Sequence, residues 1–344
     1  MSERRHRPLI VPVFIPNQGC PYRCVFCDQE RITSQSGFPV DGKHVEKVLF
    51  HAVQSKGFDP EREPEVAFYG GTFTCLPLVR VKELLQAVVP FIRRGLFSSI
   101  RVSTRPDALG EEHLRIMKES GVLTIELGAQ SMDDDVLVSS QRGHTAADTA
   151  SAVRYLRSKG FKVGIQLMPG LPGDSGKRFH ETVTKVLRLK PDMVRLYPAL
   201  VIKGTKLAKW YEEGLYRPMS LHEAVEVCIE SCLRLESEDI PVIRIGLMSS
   251  PSLLEEGQII AGPWHTAFGF LVRSGIYHKC MESQLPRAGE ASRIVIYVPE
   301  REISLVRGYK NGGLSSIEAK TGAKVMGVEM DDTLPLGRVK IKNV

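Results

Sequence analysis

The feature that most constrains the fold of this chain is a repeated alternation of short apolar segments with helical segments. Apolar runs at 9–15, 65–69, 99–103, 122–131, 161–168 and 193–198 alternate with stretches that have the period of an amphipathic helix. Parallel strands need crossover connections, and successive right-handed crossovers curl a sheet. The pattern therefore predicts an α/β fold, a partial parallel (β/α)6 barrel, with a further edge-like strand at 240–245.

Three cysteines follow the first apolar run within eight residues, at Cys20, Cys24 and Cys27. Thiolates clustered this tightly usually hold a soft metal. The motif supplies only three ligands and no histidine, so one metal position would stay open. A zinc site completed by a distant fourth ligand, or a disulfide, are the other interpretations. The remaining cysteines form no regular framework, which indicates a reducing compartment.

Polar or glycine-rich segments follow the later apolar runs as well. Gly70, Gly71 and Thr72 come after the run at 65–69, and two glycines at a strand end let a ligand approach the backbone closely. The carboxyl ends of parallel strands meet at one rim, where sites in such folds lie. We therefore expect the other polar strand-end segments at the same rim: 103–107, 126–131 and 169–173.

The C-x3-C-x2-C spacing, with Phe26 before the last cysteine, resembles the signature of radical S-adenosylmethionine (SAM) enzymes. The resemblance looks closest to the radical SAM core of the Elongator catalytic subunit and covers roughly residues 10–245, about two-thirds of the chain. Oxygen-independent coproporphyrinogen oxidases share the layout more loosely. The stretches that carry the resemblance are GGTFT at 70–74, STRPD at 103–107, ELGAQS at 126–131, QRGHT at 141–145, GFKVGIQLMPGLPGD at 160–174 and RLYPALVIKGTKL at 195–207.

The resemblance implies a [4Fe-4S] cluster on the three cysteines, whose open iron SAM chelates. It also implies an electron donor of flavodoxin or ferredoxin type. Ser103 stands where related cores often have a glutamate. No segment after the core resembles an acetyltransferase domain, so acetyl-CoA chemistry is not expected. By the same resemblance, the SAM-binding positions are Phe26, Gly70, Gly71, Thr72, Ser103, Gln130, Arg142 and Gln166.

Two segments lie beyond the resemblance. The loop at 260–269 places Trp264 beside His265, and we expect His265 to act as a proton donor; a packed connector is the alternative. The run GYKNGGLSSIEAKTGAKV, which begins at Gly308, resembles the core of a KH nucleic-acid-binding module; an α+β appendage that closes the barrel is the alternative. The predicted domains are a partial barrel at 1–250, a connector or cap at 251–291 and a small α+β KH-like domain at 292–344.

Charge and hydropathy bear on partners and compartment. A net charge of +6 permits a polyanionic partner such as RNA, although an ordinary basic enzyme has the same composition. The basic start at 1–7 precedes an apolar run, as in a secretion signal, but Pro12 and Pro16 interrupt that run and no cleavage site follows. No apolar stretch reaches the ~18 residues that span a bilayer. We therefore expect a cytoplasmic protein without a membrane partner.

Three functions compete. The leading hypothesis is an enzyme that reductively cleaves SAM to a 5′-deoxyadenosyl radical and acts on RNA, with tRNA as the candidate, through the C-terminal region. The same chemistry on a small molecule such as a porphyrinogen is the second. The third is a non-catalytic, metal-containing protein that binds RNA.

Overall fold

The computed structural model describes residues 8–35 and 40–344, so the expectation for the basic start at 1–7 lies outside the described residues. The strands are β1 Ile10–Phe14, β2 Glu65–Tyr69, β3 Ser99–Thr104, β4 Val122–Gln130, β5 Lys162–Leu167, β6 Met193–Leu196, β7 Val201–Ile202, β8 Val242–Ile245, β9 Ile259–Ala261, β10 Arg293–Val298, β11 Lys324–Met330 and β12 Lys340–Asn343.

Helices connect most of these strands. In chain order they are α1 Gln29–Thr33, α2 Gly42–Val53, α3 Leu78–Arg93, α4 Glu111–Glu119, α5 Asp134–Ser139, α6 Ala146–Ser158, α7 Gly176–Leu189, α8 Lys206–Glu212, α9 Leu221–Glu236, α10 Pro251–Leu254, α11 Phe268–Met281, α12 Ile303–Arg307 and α13 Gly312–Thr321. Several helices begin at strong N-cap residues. Thr145 and Ser220 start α6 and α9, and each forms a capping box with an acidic residue three positions later.

A seven-stranded sheet in the order β1-β2-β3-β4-β5-β6-β8 forms the main body, and every neighbouring pair in it is parallel. The sheet curls into a half-barrel with helices on its outer side. The predicted partial parallel barrel is confirmed, and β8 lies at the edge of the sheet as expected. Strands buried on both faces explain the nearly continuous apolar runs.

The segment after the barrel contains elements that the sequence prediction did not specify: α10, β9 and α11. Residues 268–281 form the 14-residue helix α11, which the sequence analysis left within an undivided connector. Its pattern is weakly amphipathic, because it is buried on several sides against α9 and α12. Gly269 and Gly275 further weaken the helical signal, and each lies where a Cβ would contact a neighbouring element closely.

A second, three-stranded sheet in the order β11-β10-β12 lies near the carboxyl terminus. β10 pairs parallel to β11 and antiparallel to β12, so the sheet is mixed. With α12 and α13 it forms the small α+β unit that the sequence predicts. Its core includes Tyr277 and Met281 of α11 together with Ile294 and Ile296 of β10. Among the helices of the described residues, none is long and apolar enough to cross a bilayer.

Candidate functional site

A cavity of about 610 Å³ fills the inside of the half-barrel. It extends from residues near the amino ends of the strands, such as Ile10 and Lys162, to the loops at their carboxyl ends. The candidate residues that line it are Cys20, Cys24, Phe26, Cys27, Gly70, Gly71, Thr72, Ser103, Gln130, Arg142 and Gln166. The structure therefore brings together every candidate site residue from the sequence except His265.

The cysteine loop follows β1 and is pinned to the turn that follows β2. The Asn17 amide donates to the Gly70 carbonyl at 2.8 Å, and the Thr72 amide donates to the Gln18 carbonyl at 2.9 Å. A Cβ on Gly71 would lie 2.4 Å from the Gln18 carbonyl oxygen, closer than real contacts allow. The glycine at position 71 is therefore required for the two loops to approach, whether or not a ligand binds there.

Each of the three thiols has a different neighbour. Cys20 Sγ lies 3.3 Å from the Thr72 hydroxyl, and Gln29 Nε2 donates to Cys27 Sγ at 3.4 Å. Burial, together with the neighbouring Cys24 thiol, raises the pKa of Cys27 to about 12. All three thiols are free of disulfides, so the disulfide interpretation has no support in this structure.

Arg142 supplies a cation to the cysteine loop. Its Nη1 donates to Cys24 Sγ at 2.9 Å and its Nη2 donates to the Gly128 carbonyl. The side chain is buried, and its Nε has no hydrogen-bond partner among the described residues. The backbone carbonyl of Arg142 accepts from Arg105, which also forms a two-pronged ion pair with Asp107. An anion beside this guanidinium would satisfy the free Nε–H.

The donor set fits an iron–sulfur cluster better than a single metal ion. Within residues 8–35 and 40–344, no three His, Cys, Asp or Glu side chains are grouped closely enough to hold one ion. A mononuclear zinc needs its ligands to converge on one point. In a cubane each thiolate binds a different iron, so the sulfurs of Cys20, Cys24 and Cys27 need not converge. The Arg142 cation beside Cys24 would also stabilise thiolate charge.

Gln130 adopts a backbone conformation that is unusual for a residue other than glycine. Its φ is +68°, and the pairing of β4 with β5 shifts register between Leu127 and Gln130. Such an irregularity redirects side chains and is common beside functional sites. Gln166 Nε2 donates to Gln130 Oε1 at 3.1 Å, so the two amides form one polar pair on the cavity wall. Ser103, on β3, also lines the cavity, so a hydroxyl stands where the resemblance leads one to expect a glutamate carboxylate.

Deeper in the barrel lies a charged network that the sequence analysis did not identify. Arg101 pairs with Glu65 at 2.6 Å and with Glu126 at 2.7 Å, and Arg195 pairs with Glu126 at 3.0 Å. The Tyr69 hydroxyl donates to Glu126 and accepts from Arg195. Burial and the Glu126 carboxylate raise the pKa of Tyr69 above its ordinary value, so the phenol stays protonated.

A signal for this network was present in the sequence. Charged residues inside short, doubly buried strands are expensive unless they are paired. Arg101, Glu126 and Arg195 interrupt three such apolar runs. Their mutual pairing across the barrel could have been inferred from that cost, although the distances could not.

His265 occupies a different place. It lines a smaller cavity beside the main one, together with Trp264 and Phe268. Its Nδ1 accepts from the Ala267 amide at 3.0 Å, and its ring packs edge-on against Tyr309 with ring centroids 4.7 Å apart. In this structure His265 joins the loop before α11 to the glycine-containing loop between α12 and α13. These contacts favour the packed-connector alternative for this loop.

Comparisons with known proteins agree with this geometry. The family model of the radical SAM superfamily matches residues 14–186, half of the chain, and the model of the radical SAM C-terminal domain matches residues 191–278. The solved structure of archaeal Elp3 from Methanocaldococcus infernus covers 81% of this chain with a TM-score of 0.60 at 23% identity. At that identity, the structural match shows the fold alone.

Curated relatives are similar over part of the chain. A tRNA uridine(34) acetyltransferase of Methanocaldococcus jannaschii is 32% identical over 183 residues, which are 52% of this chain and 34% of the relative. Human Elongator complex protein 3 is 30% identical over 47% of this chain and 34% of its own length. An uncharacterised protein of M. jannaschii is 30% identical over 63% of this chain and 69% of its own length.

The chain spans only 24–50% of the length of the three tRNA uridine(34) acetyltransferases that it matches. The similarity to those relatives therefore concerns a shared core and not their whole activity. The family models, the parallel half-barrel and the strand-end motifs point to the same conclusion. The chain belongs to the radical SAM superfamily, with a core similar to that of Elongator complex protein 3.

Proposed function

We propose that this chain is a radical SAM enzyme that binds a [4Fe-4S] cluster on Cys20, Cys24 and Cys27 and acts on RNA, with tRNA as the candidate substrate. The observation that carries the proposal is the common cavity. Three free thiols, the Arg142 guanidinium, the Gln130–Gln166 pair and the glycine turn all line one cavity, at the end formed by the carboxyl ends of the strands.

When bound and reduced, the cluster supplies the electron that cleaves SAM to methionine and a 5′-deoxyadenosyl radical. An external donor of flavodoxin or ferredoxin type would provide that electron. The chain's own residues bind and orient SAM and exclude water from the cavity. The turn at Gly70 and Gly71 offers backbone groups to the methionine end of SAM. Gln130 and Gln166 offer uncharged hydrogen-bonding groups to the ribose hydroxyls beside a sulfonium.

The deeper network lines this part of the cavity with charged and polar groups that are bonded to one another. Glu126 accepts hydrogen bonds from Arg101 and Tyr69 and forms an ion pair with Arg195, so its carboxylate is held in place. The remaining donor groups of Arg195, and the cations of Lys162 and Arg244 that also line the cavity, favour a substrate with anionic or carbonyl groups. A nucleobase with flanking phosphates has both kinds of group.

Two observations support RNA over a small molecule. Relatives of the core carry the name tRNA uridine(34) acetyltransferase, and the chain is basic, with a net charge of +6. Basic surface supplies the sequence-independent part of nucleic-acid affinity. The KH-like resemblance of the tail, the predicted boundaries at 250 and 291 and the cytoplasmic location remain predictions.

Anaerobic reconstitution with iron and sulfide tests the proposal. We expect a brown protein that cleaves SAM after reduction with dithionite, and cleavage should be lost in the Cys24→Ala variant, while Cys75→Ala serves as the control. A colourless protein that holds one zinc would instead support the non-catalytic alternative. Cleavage of SAM without affinity for bulk tRNA at low salt would favour a small-molecule substrate.

A further inference from the structure

The sheet of the C-terminal unit has one face packed on helices and one face open. Along β10, Ile294, Ile296 and Val298 are fully buried against α11, α12 and α13. Successive side chains of a strand point to opposite faces, so Arg293, Val295 and Tyr297 lie on the other face. That outer face is the open face of the unit.

The registers of β11 and β12 complete the open face. Directly opposed residues share a face, and the partners of Tyr297 are Glu329 on β11 and Lys340 on β12. The partners of Val295 are Gly327 and Lys342, and the partner of Arg293 is Lys324. Three cross-strand rows therefore lie on the open face: Glu329, Tyr297 and Lys340; Gly327, Val295 and Lys342; and Lys324 with Arg293. Nothing lies within 4 Å of the Cβ position of Gly327, so there is space beside the Tyr297 ring.

The charge of the open face is predominantly positive. Arg293, Lys324, Lys340 and Lys342 are exposed, and none of them forms a salt bridge in the part of the chain that the structure describes. Glu329 is the carboxylate in these rows, and Asp331 follows at the end of β11. The Lys342 ammonium lies 5.0 Å from the centre of the Tyr297 ring and makes a cation–π contact with it, so a base that stacks on this side of the ring displaces Lys342.

The glycine loop at 308–313, on which the KH resemblance rests, packs closely against its neighbours. A Cβ on Gly313 would lie 2.3 Å from the Val306 carbonyl oxygen and 2.5 Å from His278 Nε2. Tyr309 of the same loop packs against His265. The glycines at 308 and 313 are thus explained by close contact within the loop and with α11, and they carry no independent indication of a phosphate site.

We propose that the open face of the β11-β10-β12 sheet, with Tyr297 at its centre, binds a single-stranded segment of RNA. An aromatic ring on an open sheet offers a stacking platform for a base, and flanking lysines neutralise the phosphates on either side. A duplex fits this face poorly because its bases are already stacked. The proposal rests on the proposed function, since it names the surface that would hold the RNA substrate away from the barrel.

The test measures the binding of a labelled short oligouridylate to the full-length reconstituted protein. Tyr297→Ala should weaken binding about tenfold, because one base loses its stacking partner, and Tyr297→Phe should retain it. Lys340→Gln with Lys342→Gln should reduce the slope of log K against log salt by about 1.4, as expected for two lost phosphate contacts on a single strand.

Lys310→Gln, in the glycine loop, is the matched control and should bind as the unmodified protein does. Unchanged binding in Tyr297→Ala, or a loss confined to Lys310→Gln, would overturn the inference. SAM cleavage without substrate, and the thermal midpoint, should be the same in all these variants. A protein that cleaves SAM and binds bulk tRNA but does not bind oligouridylate contradicts this inference alone, whereas failure to cleave SAM, or to bind any RNA, contradicts the proposed function.

Discussion

Arg142 lies between two parts of the proposed site. The resemblance to radical SAM enzymes assigns it to SAM, whereas the structure shows its guanidinium donating to Cys24 Sγ. Both contacts are compatible, since the Nε–H has no partner among the described residues and remains available. A cation at this position lowers the cost of thiolate charge in a buried loop. Arg142 would therefore affect the iron site as well as the SAM pocket.

We expect Arg142→Ala to lower both iron incorporation and SAM affinity. Losing a charge-assisted contact costs roughly 1.5–3 kcal/mol, which corresponds to a ten- to hundredfold weaker affinity. Gln166→Ala is the matched control, because Gln166 bonds to Gln130 and to none of the thiols. It should weaken SAM binding and leave iron content unchanged. Iron analysis and calorimetry of both variants distinguish the roles, and a full iron complement in Arg142→Ala would refute the contact with the cluster.

His144 provides a pH-dependent contribution to stability. Burial, and then the nearby cations Arg142 and Arg105, lower its pKa from 6.5 to about 4, while its Nε2 hydrogen-bonds the Ala129 carbonyl. Below pH 6.5 the unfolded chain binds a proton that the folded chain does not. Stability should therefore fall as pH decreases from 6.5 towards 4, by about 2 kcal/mol at pH 5 from this residue.

The His144→Gln variant should show a shallower loss of stability between pH 7.5 and 5, because its amide can still donate to Ala129 and does not titrate. Urea unfolding at several pH values measures the effect. His180 is exposed, so the His180→Gln variant is the control, and its stability should depend on pH as that of the unmodified protein does. If the stability of His144→Gln falls as steeply between pH 7.5 and 5, the lowered pKa of His144 is not the cause of that fall.

At the scale of elements, the loops after β1 and β2 act as one unit. The Gly71 position accepts no side chain because the Gln18 carbonyl oxygen lies 2.4 Å from where its Cβ would be, and the Ile15 carbonyl oxygen lies 2.7 Å away. Any side chain at position 71 pushes the cysteine loop outward. The geometry of the thiols therefore depends on a residue that is not a ligand.

Gly71→Ala should reduce iron incorporation severalfold while every cysteine remains in place. The measurement is iron content and visible absorbance after anaerobic reconstitution. Gly57→Ala is a suitable control, because nothing lies within 4 Å of its Cβ position and its φ is not positive. An unchanged cluster in Gly71→Ala would show that the loops can separate without consequence for the site.

The sequence could predict most of the strands, but fewer of the contacts between them. Period and strand-end chemistry sufficed for six parallel strands, for an edge-like strand at 240–245 and for the rim, because all three follow from local pattern and from the rules of parallel sheets. The Arg101–Glu126–Arg195 network was missed because it depends on which strands lie across the barrel. Helix α11 was missed because its pattern reflects burial on several sides. The distance of His265 from the main cavity depends on the docking of a later loop.

At the scale of the whole molecule, α11 joins the C-terminal unit to the barrel. Its Ser274 donates to the Leu305 carbonyl at 2.7 Å, and its Tyr277 donates to Glu302 at 3.1 Å. His278 Nε2 lies 2.9 Å from the Val306 carbonyl oxygen. On its other side α11 packs against α9. The unit that begins at residue 292 therefore shares its core with a helix from the preceding segment.

This shared core predicts that the two parts stay associated after the chain between them is cut. Residues 287–290 are exposed and connect α11 to β10, so a site-specific protease sequence inserted between Ala288 and Gly289 should be cleaved in the native protein. The two fragments should then elute together on gel filtration, because Tyr277 and Met281 remain buried against Ile294 and Ile296.

Urea should separate the fragments only near the unfolding transition of the barrel. The matched control carries Tyr277→Ala and Met281→Ala in the same cleavable chain. These substitutions remove apolar area from the shared core, and each truncation of a buried large side chain typically lowers the free energy of unfolding by about 2–5 kcal/mol. Its fragments should separate at lower urea. If the fragments of the otherwise unmodified chain separate without denaturant, residues 292–344 form an independent domain, and the open sheet face could then be studied on its own.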